Sequence, residues 1–355
     1  MVRYLRLKEG IYMAKMKKLS VSTPPITSFF HIEIPLTIIY GDERTHPWIF
    51  NNYIQLYSIR NVELSEDGLP HCFIDFEHSY FGAFRFLELA TCPWILLERI
   101  SLKDVKSKWK DALCFVKEKI DEDKYIGITI IMDKISNYPV SGSHNLFIYG
   151  YDDTKEVLYC ADHFQEGLFS FEEVSHSEFL NSVHYPFEDE LNWGALEGVC
   201  LFSKIERTHE KIYDLSIYKI VHDLKMYLYQ ESIIGKRDDY FIFGINCYDS
   251  LIDYYKLLAE NAHETDLKAM HTQREHKKLM LLRIEFLMKE YPQLEIFYDP
   301  FKELLSELDL MVGWTLKYLF NGKVSFLDKC IDKLAIVKST EEELIEKLIE
   351  ALLTL

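Results

Sequence analysis

The sequence predicts an α+β fold in which a mixed half with an antiparallel sheet precedes a helical half. Between residue 26 and about residue 205, short runs rich in β-branched and aromatic residues alternate with a few helical segments. From about residue 208 onward, apolar residues recur at helical spacing. With 355 residues, 48% of them hydrophobic, the chain can bury one large core or two smaller ones. We therefore expect a tail over 1–25, an α/β domain over 26–207 and a helical domain over 208–355.

In the first half, the β-rich runs predict short strands, bounded by turn residues. They cover Phe73–Phe76, Trp94–Ile100, Tyr125–Met132, Leu146–Tyr151, Val157–Cys160, Gly167–Phe171 and Gly198–Lys204. Between them, Leu102–Ile120 carries apolar residues at helical spacing, which predicts one helix. A second helix over Ser175–Val183 opens with a serine N-cap and Glu178 three residues later, which is a capping box.

In the second half, apolar stripes of helical period predict a series of helices. They cover Tyr213–Tyr229, Asn246–Ala262, His271–Glu290, Phe301–Phe320 and Glu341–Leu353. The segment Glu275-His276-Lys277 raises the question of a metal site, but His271 and His276 are separated by about 140° around a helix and do not face one ligand. We expect this segment, like the acidic start of the last helix at Glu341, to be a charged face in solvent.

Composition excludes several classes of function. The formal net charge of −17 argues against a nucleic-acid partner, whose phosphates need a basic face. No run of about 20 apolar residues predicts a membrane span, and the N-terminus lacks the pattern of a secretion signal. The seven cysteines are widely spaced, so they predict neither a zinc site nor a disulfide framework. We expect a cytoplasmic protein with no cofactor and no metal; whether it forms a homodimer is left open.

The most informative stretch runs from Ser143 to Asp162 and has the pattern of a β-hairpin. Two β-rich runs flank a polar turn, so antiparallel pairing would bring Asp162 almost opposite His144. A carboxylate beside an imidazole fixes its tautomer and stabilises the imidazolium, as in the supporting half of a catalytic triad. The alternative is that both residues simply end strands.

This hairpin, followed by a Gly-aromatic strand and the helix at Ser175–Val183, resembles the His-Asp half of papain-like folds. It is most similar to the C39-peptidase-like proteins, including the N-terminal domain of the butirosin-biosynthesis H type, which accompanies carrier-protein assembly lines. The similarity extends over about residues 30–205 as a domain pattern. The helical half, with Phe243–Asp249 and Arg274–Lys277, resembles the helical part that accompanies such domains.

The resemblance implies acyl chemistry through a cysteine thiolate placed at the N-terminus of the first long helix. There, the helix dipole and the histidine would lower the pKa of the thiol. The matching stretch here is Thr45–Leu56, where Pro47 suits a first helical turn but no cysteine is present.

Cys72, in a loop before a strand and beside His71, is the candidate nucleophile, although a buried structural cysteine is the commoner role. Carboxamides at the start of the expected helix could donate to an oxyanion or carbonyl, and nearby aromatic rings could line an acyl or pantetheine pocket. Helix capping and core packing are the alternatives. The candidate substrate-binding residues are Trp48, Asn51, Asn52, Tyr53 and Gln55.

Two functions follow from these expectations. The first is an enzyme of natural-product or nonribosomal-peptide biosynthesis that transfers an acyl or aminoacyl group, with His144 as general base and Asp162 orienting it. Its substrate would be a carrier-protein thioester or a peptide. The second is a catalytically silent pseudo-enzyme of the same fold that binds a partner in the same pathway. The distance from His144 to the nearest nucleophile would separate them.

Overall fold

The computed structural model describes residues 15–59, 72–77, 92–136, 138, 142–164, 167–183, 199–206, 213–232, 241–261 and 267–355, and the backbone of four short strands outside these ranges. The chain forms two compact units. One, which we call the sheet unit, contains residues 1–24, 33–42 and 80–212, and the other, the helical unit, contains residues 25–32, 43–79 and 213–355. Each unit is described separately.

The strands and helices alternate in the order that the α+β prediction requires. The strands are β1 (Tyr4–Arg6), β2 (Ile11–Met13), β3 (Met16–Lys18), β4 (Leu56–Ile59), β5 (Glu63–Leu64), β6 (Pro70–His71), β7 (Ile74–Phe76), β8 (Ile95–Ile100), β9 (Lys124–Ile131), β10 (Ser143–Asp152), β11 (Val157–His163), β12 (Phe169–Ser175), β13 (Val199–Lys204) and β14 (Phe241–Phe243). The helices are α1 (Phe30–Ile39), α2 (His46–Asn51), α3 (Leu102–Lys108), α4 (Ala112–Asp121), α5 (His176–Ser182), α6 (Ile217–Tyr229), α7 (Cys247–Asn261), α8 (Lys268–Met288), α9 (Tyr298–Asn321) and α10 (Ser325–Leu352).

The sheet unit is built on a seven-stranded antiparallel sheet with the strand order β12-β11-β10-β9-β13-β8, in which β3 also pairs with β10. A bulge between Ile148 and Gly150 shifts the register of β10 against β11. Gly150 has to be a glycine, because a Cβ there would lie 2.6 Å from the backbone oxygen of Lys17 in β3. Apolar residues of β9, β10, β11 and β13 form one face of the sheet, and α4 and α5 contribute Phe115 and Phe179 to the same core.

The helical unit contains α6 to α10 together with α2 and a three-stranded antiparallel sheet of order β14-β4-β7. Its core is formed by the apolar faces of the helices, as the periodicity predicts. Because β4 from the first half of the chain pairs with β14 from the second half, the two units interleave along the sequence. This differs from the continuous domains 26–207 and 208–355 expected from the sequence.

The strands follow the predicted runs closely, but four helical or terminal segments differ from the prediction. The segment 1–25 is not only a tail, because β3 adds to the main sheet at Gly150–Asp152. The single helix expected over 102–120 is two helices, since Trp109 ends α3 and the Asp111 side chain caps α4 at the amide of Cys114. The last helix starts at Ser325, well before Glu341.

Helix α1 is the fourth difference, because the sequence gives no amphipathic signal for it. Its side chains from Ile32 to Ile39 are almost all buried, so the apolar residues surround the helix instead of forming a stripe. It also contains Pro35 and several β-branched residues, which disfavour a helix interior. Tertiary burial therefore outweighs local propensity at this segment.

The charged face expected at Glu275-His276-Lys277 is also wrong. These side chains are buried, and so is Glu341. The Glu275 carboxylate accepts hydrogen bonds from the backbone and hydroxyl groups of Thr27 and Ser28, including the Thr27 amide at 2.7 Å. Pairing of the charged groups with neighbours allows their burial in the helical core.

Within the part of the chain that the structure describes, no helix combines the length and the apolar character that crossing a bilayer requires.

Candidate functional site

The hairpin of β10 and β11 places His144 and Asp162 on one face of the sheet. The two strands pair from Asp152 with Val157 as far as Phe147 with Ala161. Since side chains alternate along a strand, His144 and Asp162 share the face that carries Leu146, and they lie diagonally across the two strands. The structure brings them together, with 3.0 Å between His144 Nδ1 and Asp162 Oδ2.

Asp162 is a buried anion held by several donors. Its side chain is fully buried, and Oδ2 accepts hydrogen bonds from His144 Nδ1 and from the Tyr138 hydroxyl. Oδ1 accepts the backbone amide of His163 at 2.7 Å. Burial alone would raise the pKa of Asp162, but His144, His163 and Tyr138 together outweigh it and lower the pKa to about 2. Asp162 is therefore a carboxylate at neutral pH.

The His144 imidazole extends from this buried anchor toward solvent. Its side chain is 39% exposed, whereas that of Asp162 is 0% exposed. An Nδ1–H donated to the carboxylate selects the neutral tautomer whose basic lone pair is on Nε2. An imidazole oriented in this way can take a proton from an incoming group and return it, which is general acid–base chemistry.

Tyr138 is also part of the site, and no motif in the sequence indicates it. Its hydroxyl donates to Asp162, and its ring packs against Phe164 with 4.9 Å between centroids. Burial and the neighbouring Asp162 carboxylate raise the pKa of Tyr138, so its phenol stays protonated and remains a donor. The residue lies in a loop between β9 and β10, where no periodic pattern could have indicated its position.

Glu33 and His163 complete the group around Asp162. His163 Nδ1 lies 3.6 Å from Asp162 Oδ1 and 3.7 Å from Glu33 Oε2. Glu33 belongs to α1 and is 1% exposed. Neither residue could be selected from the sequence: no motif indicates His163, and the helix that carries Glu33 has no amphipathic pattern.

The structure gives no support for an activated thiol. Cys72, the predicted nucleophile, is buried in the helical unit, whereas His144 belongs to the sheet unit. Cys160 precedes Asp162 by two residues on the same strand face, but burial and the Asp162 charge raise the pKa of its thiol well above the usual value. Cys114 is exposed, yet partial burial and Asp111 raise its thiol pKa too.

The carboxamides predicted to bind substrate serve the backbone of the helical unit. The Asn51 side chain donates to one backbone carbonyl before α6 at 3.0 Å and accepts one backbone amide there at 2.9 Å. The Asn52 side chain donates to the carbonyl of Trp48 at 2.7 Å. Gln55 donates to a carbonyl after α6 at 2.6 Å and accepts the amide of the next residue at 3.0 Å. These contacts account for all three amides structurally.

The aromatic residues of the same stretch are core residues. Trp48 and Tyr53 are both 0% exposed, and their rings meet edge to face with 6.0 Å between centroids. Arg283 donates from Nε and Nη2 to the backbone carbonyls of Phe50 and Asn52, at 2.7 and 2.8 Å. The predicted acyl or pantetheine pocket is therefore replaced here by packed side chains.

Within the part of the chain that the structure describes, the first helix of ten residues or more is α1, and the stretch Thr45–Leu56 contains no long helix. The only helix in that stretch, α2, has six residues. Ser28 and Thr27 precede α1, and both hydroxyls donate to the Glu275 carboxylate within the helical unit.

Comparison of the chain with models of known protein families and with curated proteins finds no match to either.

Proposed function

We propose that the sheet unit is a cysteine-peptidase-like domain of natural-product biosynthesis that catalyses acyl or aminoacyl transfer. Its substrate would be a carrier-protein thioester or a peptide. The observation that carries the proposal is the hydrogen bond between the half-exposed His144 and the buried Asp162 at the end of an antiparallel sheet. The papain-like and C39-like assignment rests on the resemblance of the hairpin.

In this proposal His144 acts directly on the acceptor. Nε2 removes a proton from an amine or a water molecule as that group attacks the carbonyl carbon of the thioester or amide. The imidazolium, stabilised by Asp162, then returns the proton to the leaving thiol or amine, so the proton count balances. No covalent acyl-enzyme is needed, which agrees with the raised thiol pKa values of Cys160 and Cys114.

A panel of carrier-protein thioesters and N-acetylcysteamine thioesters, incubated with amine acceptors and analysed by mass spectrometry, tests the activity. We expect His144→Ala and Asp162→Ala each to reduce turnover by about 10²- to 10⁴-fold. The double variant should lose little more than either single one, since residues acting as a unit are not additive. His176→Asn is the matched control, because this histidine lies in the same unit and its Nε2 only contacts the carbonyl of Val157.

Two results would reject this function: a rate equal to the uncatalysed reaction in the wild type, or a full rate in His144→Ala. Iodoacetamide labelling supplies a separate check on the mechanism. We expect Cys114 to label first in the native protein because the other six cysteines are buried. Rapid labelling of Cys72 near neutral pH would instead favour a thiolate mechanism.

The second candidate function is a silent pseudo-enzyme that binds a carrier protein or peptide. It is favoured by the raised thiol pKa values and by the burial of Cys72. Wild-type protein that binds a carrier thioester without any turnover would support this alternative over catalysis.

A further inference from the structure

Asp162 and two side chains next to it, Glu33 and His163, converge on one small volume. They are Glu33 from α1 and Asp162 and His163 from β11, and one donor atom of each lies within 4.8 Å of the other two. Among the residues that the structure describes, this is the group with the composition and spacing of a metal site. It uses Asp162 Oδ1, whereas His144 uses Oδ2.

The spacing of these donors fits a cation better than it fits hydrogen bonds. His163 Nδ1 lies 3.6 Å from Asp162 Oδ1 and 3.7 Å from Glu33 Oε2, both too long for a good N–H···O bond. Zinc-type cations bind nitrogen and oxygen at about 2.0–2.1 Å, so the edges of a tetrahedral site measure about 3.4 Å. A small inward movement of each side chain would place all three at bonding distance.

Burial and charge lead to the same conclusion. The two carboxylates are 1% and 0% exposed, and buried anions are costly unless they are paired and hydrogen-bonded; His144, Tyr138 and the His163 amide serve Asp162 in this way, and a cation held between the three side chains would add to that compensation. Protonation would add one positive charge at each of the two imidazoles, His144 and His163, whereas a divalent cation would add two charges at one point between the ligands. The His163 side chain is 30% exposed, so an ion can approach from solvent along the side of the imidazole.

We propose that Glu33, Asp162 and His163 bind one divalent first-row transition cation of the zinc type. An imidazole with two carboxylates favours such ions over Mg²⁺ and Ca²⁺, which prefer oxygen ligands alone. His144, which holds the other oxygen of Asp162, orients that ligand from outside the metal site. With three protein ligands, a fourth position is left for water or another small ligand. The expectation of no metal came from spaced Cys and His motifs, which cannot detect ligands from distant segments.

The test uses the full chain, treated with EDTA and desalted, and titrated with Zn²⁺ by calorimetry and with Co²⁺ by visible absorption. We expect one ion per chain. Glu33→Gln and His163→Gln should each weaken binding by at least about 100-fold, and His144→Gln by about 10-fold as an outer residue. His176→Gln, in the same unit, is the control that should leave the affinity unchanged. Binding should follow the order Zn²⁺ above Co²⁺ above Mn²⁺.

A measurement on wild-type protein guards against variants that fail to fold. In protein labelled with ¹⁵N at histidine, Zn²⁺ should move the ring-nitrogen signals of His163 and leave those of His176 in place. The proposal is overturned if the wild type binds no Zn²⁺, or if folded His163→Gln binds it as tightly as the wild type. It does not depend on acyl transfer, because binding is measured without substrate; an absence of turnover would leave these results untouched.

Discussion

Lys277 and Glu341 form a buried ion pair in the helical unit whose disruption should be costly. Both side chains are 0% exposed, and Lys277 Nζ lies 2.5 Å from Glu341 Oε1. The other carboxylate oxygen accepts the hydroxyl of Tyr248 at 2.7 Å. Nζ also contacts the Tyr227 hydroxyl at 3.1 Å and His276 Nδ1 at 2.6 Å. Each ion thus has its charge and its hydrogen-bonding capacity satisfied inside the core.

The expected magnitude follows from what each substitution leaves behind. Glu341→Leu leaves a buried ammonium without its counter-ion and the Tyr248 hydroxyl without its acceptor, and Lys277→Met leaves a buried carboxylate without its counter-ion, so each should cost about 3–5 kcal/mol. The double variant removes both ions and leaves only neutral polar groups unsatisfied, at about 1–3 kcal/mol each. The losses in free energy of unfolding of the two single variants, added together, should therefore exceed the loss in the double variant by several kcal/mol.

Urea unfolding followed by circular dichroism at 222 nm, for the wild type and the three variants, measures this double-mutant cycle. The control pair is Lys256 and Asp253 on the surface of α7, separated by 3.1 Å and more than half exposed. The coupling free energy from the double-mutant cycle of this surface pair should be less than about 1 kcal/mol. The reasoning fails if either core variant costs no more than the surface control, or if the two core substitutions are additive.

The same pair determines a pH dependence. Burial lowers the pKa of Lys277 below its usual value even though Glu341 opposes that effect. The folded protein therefore binds fewer protons than the unfolded chain between this lowered pKa and about pH 10.4. The contribution of Lys277 to the free energy of unfolding should increase as pH rises through that window, and Glu341→Leu should extend the window to lower pH. A Lys277→Met background, which lacks the titrating group, is the reference.

Two further predictions concern the helix caps and glycines. Partial burial would raise the pKa of Glu178, but hydrogen bonds from Ser136 and Ser175 lower it to about 2. The capping box should therefore contribute about 1 kcal/mol to the free energy of unfolding at neutral pH. This contribution should be lost as the pH falls from about 4.3 to about 2. Urea unfolding of Glu178→Gln should differ from the wild type at pH 7 but not near pH 2, and an equal difference at both would contradict this. Gly244→Ala should cost more than about 2 kcal/mol, since its φ is +61° and the new Cβ would lie 1.9 Å from a backbone oxygen of α6. Gly313→Ala, in open space within α9, should instead stabilise by about 0.5–1 kcal/mol, and similar thermal midpoints for the two alanine variants would refute the comparison.

The strands of the sheet unit and the hairpin that brings His144 near Asp162 could be predicted because both depend on local pattern. A β-rich run, a polar turn and a second run predict a hairpin that brings the ends of its two strands close together, whereas the exact register decides which residues share a face. The bulge near Gly150 could not be predicted, since it follows from the close approach of β3. The site depends on the bulge, because the register of the turn end, continued without it, would place Asp162 opposite Phe147 and on the other face of the sheet from His144.

Helix α1 and the proposed ligand Glu33 that it carries could not be predicted, because periodicity detects only elements that have a polar side. A helix buried all round has the same pattern as a buried strand, and Pro35 makes the helical interpretation worse. Because the helix was not predicted, the position of Glu33 in it could not be predicted either. In the stretch Thr45–Leu56, where the resemblance implies a long helix, the structure has only the six-residue helix α2.

The prediction that Glu275, Lys277 and Glu341 lie in solvent is wrong for a related physical reason. Charged side chains are expected in solvent because burying an isolated charge is costly. The cost is offset when the partner approaches from a distant segment, as Glu341 does to Lys277, and a single sequence does not show that partner. The same argument applies at the sheet, where Glu33 is buried beside Asp162 and His163. Buried charges from separate segments are compensated either by each other or by an ion, and the metal titration distinguishes these two solutions at Glu33.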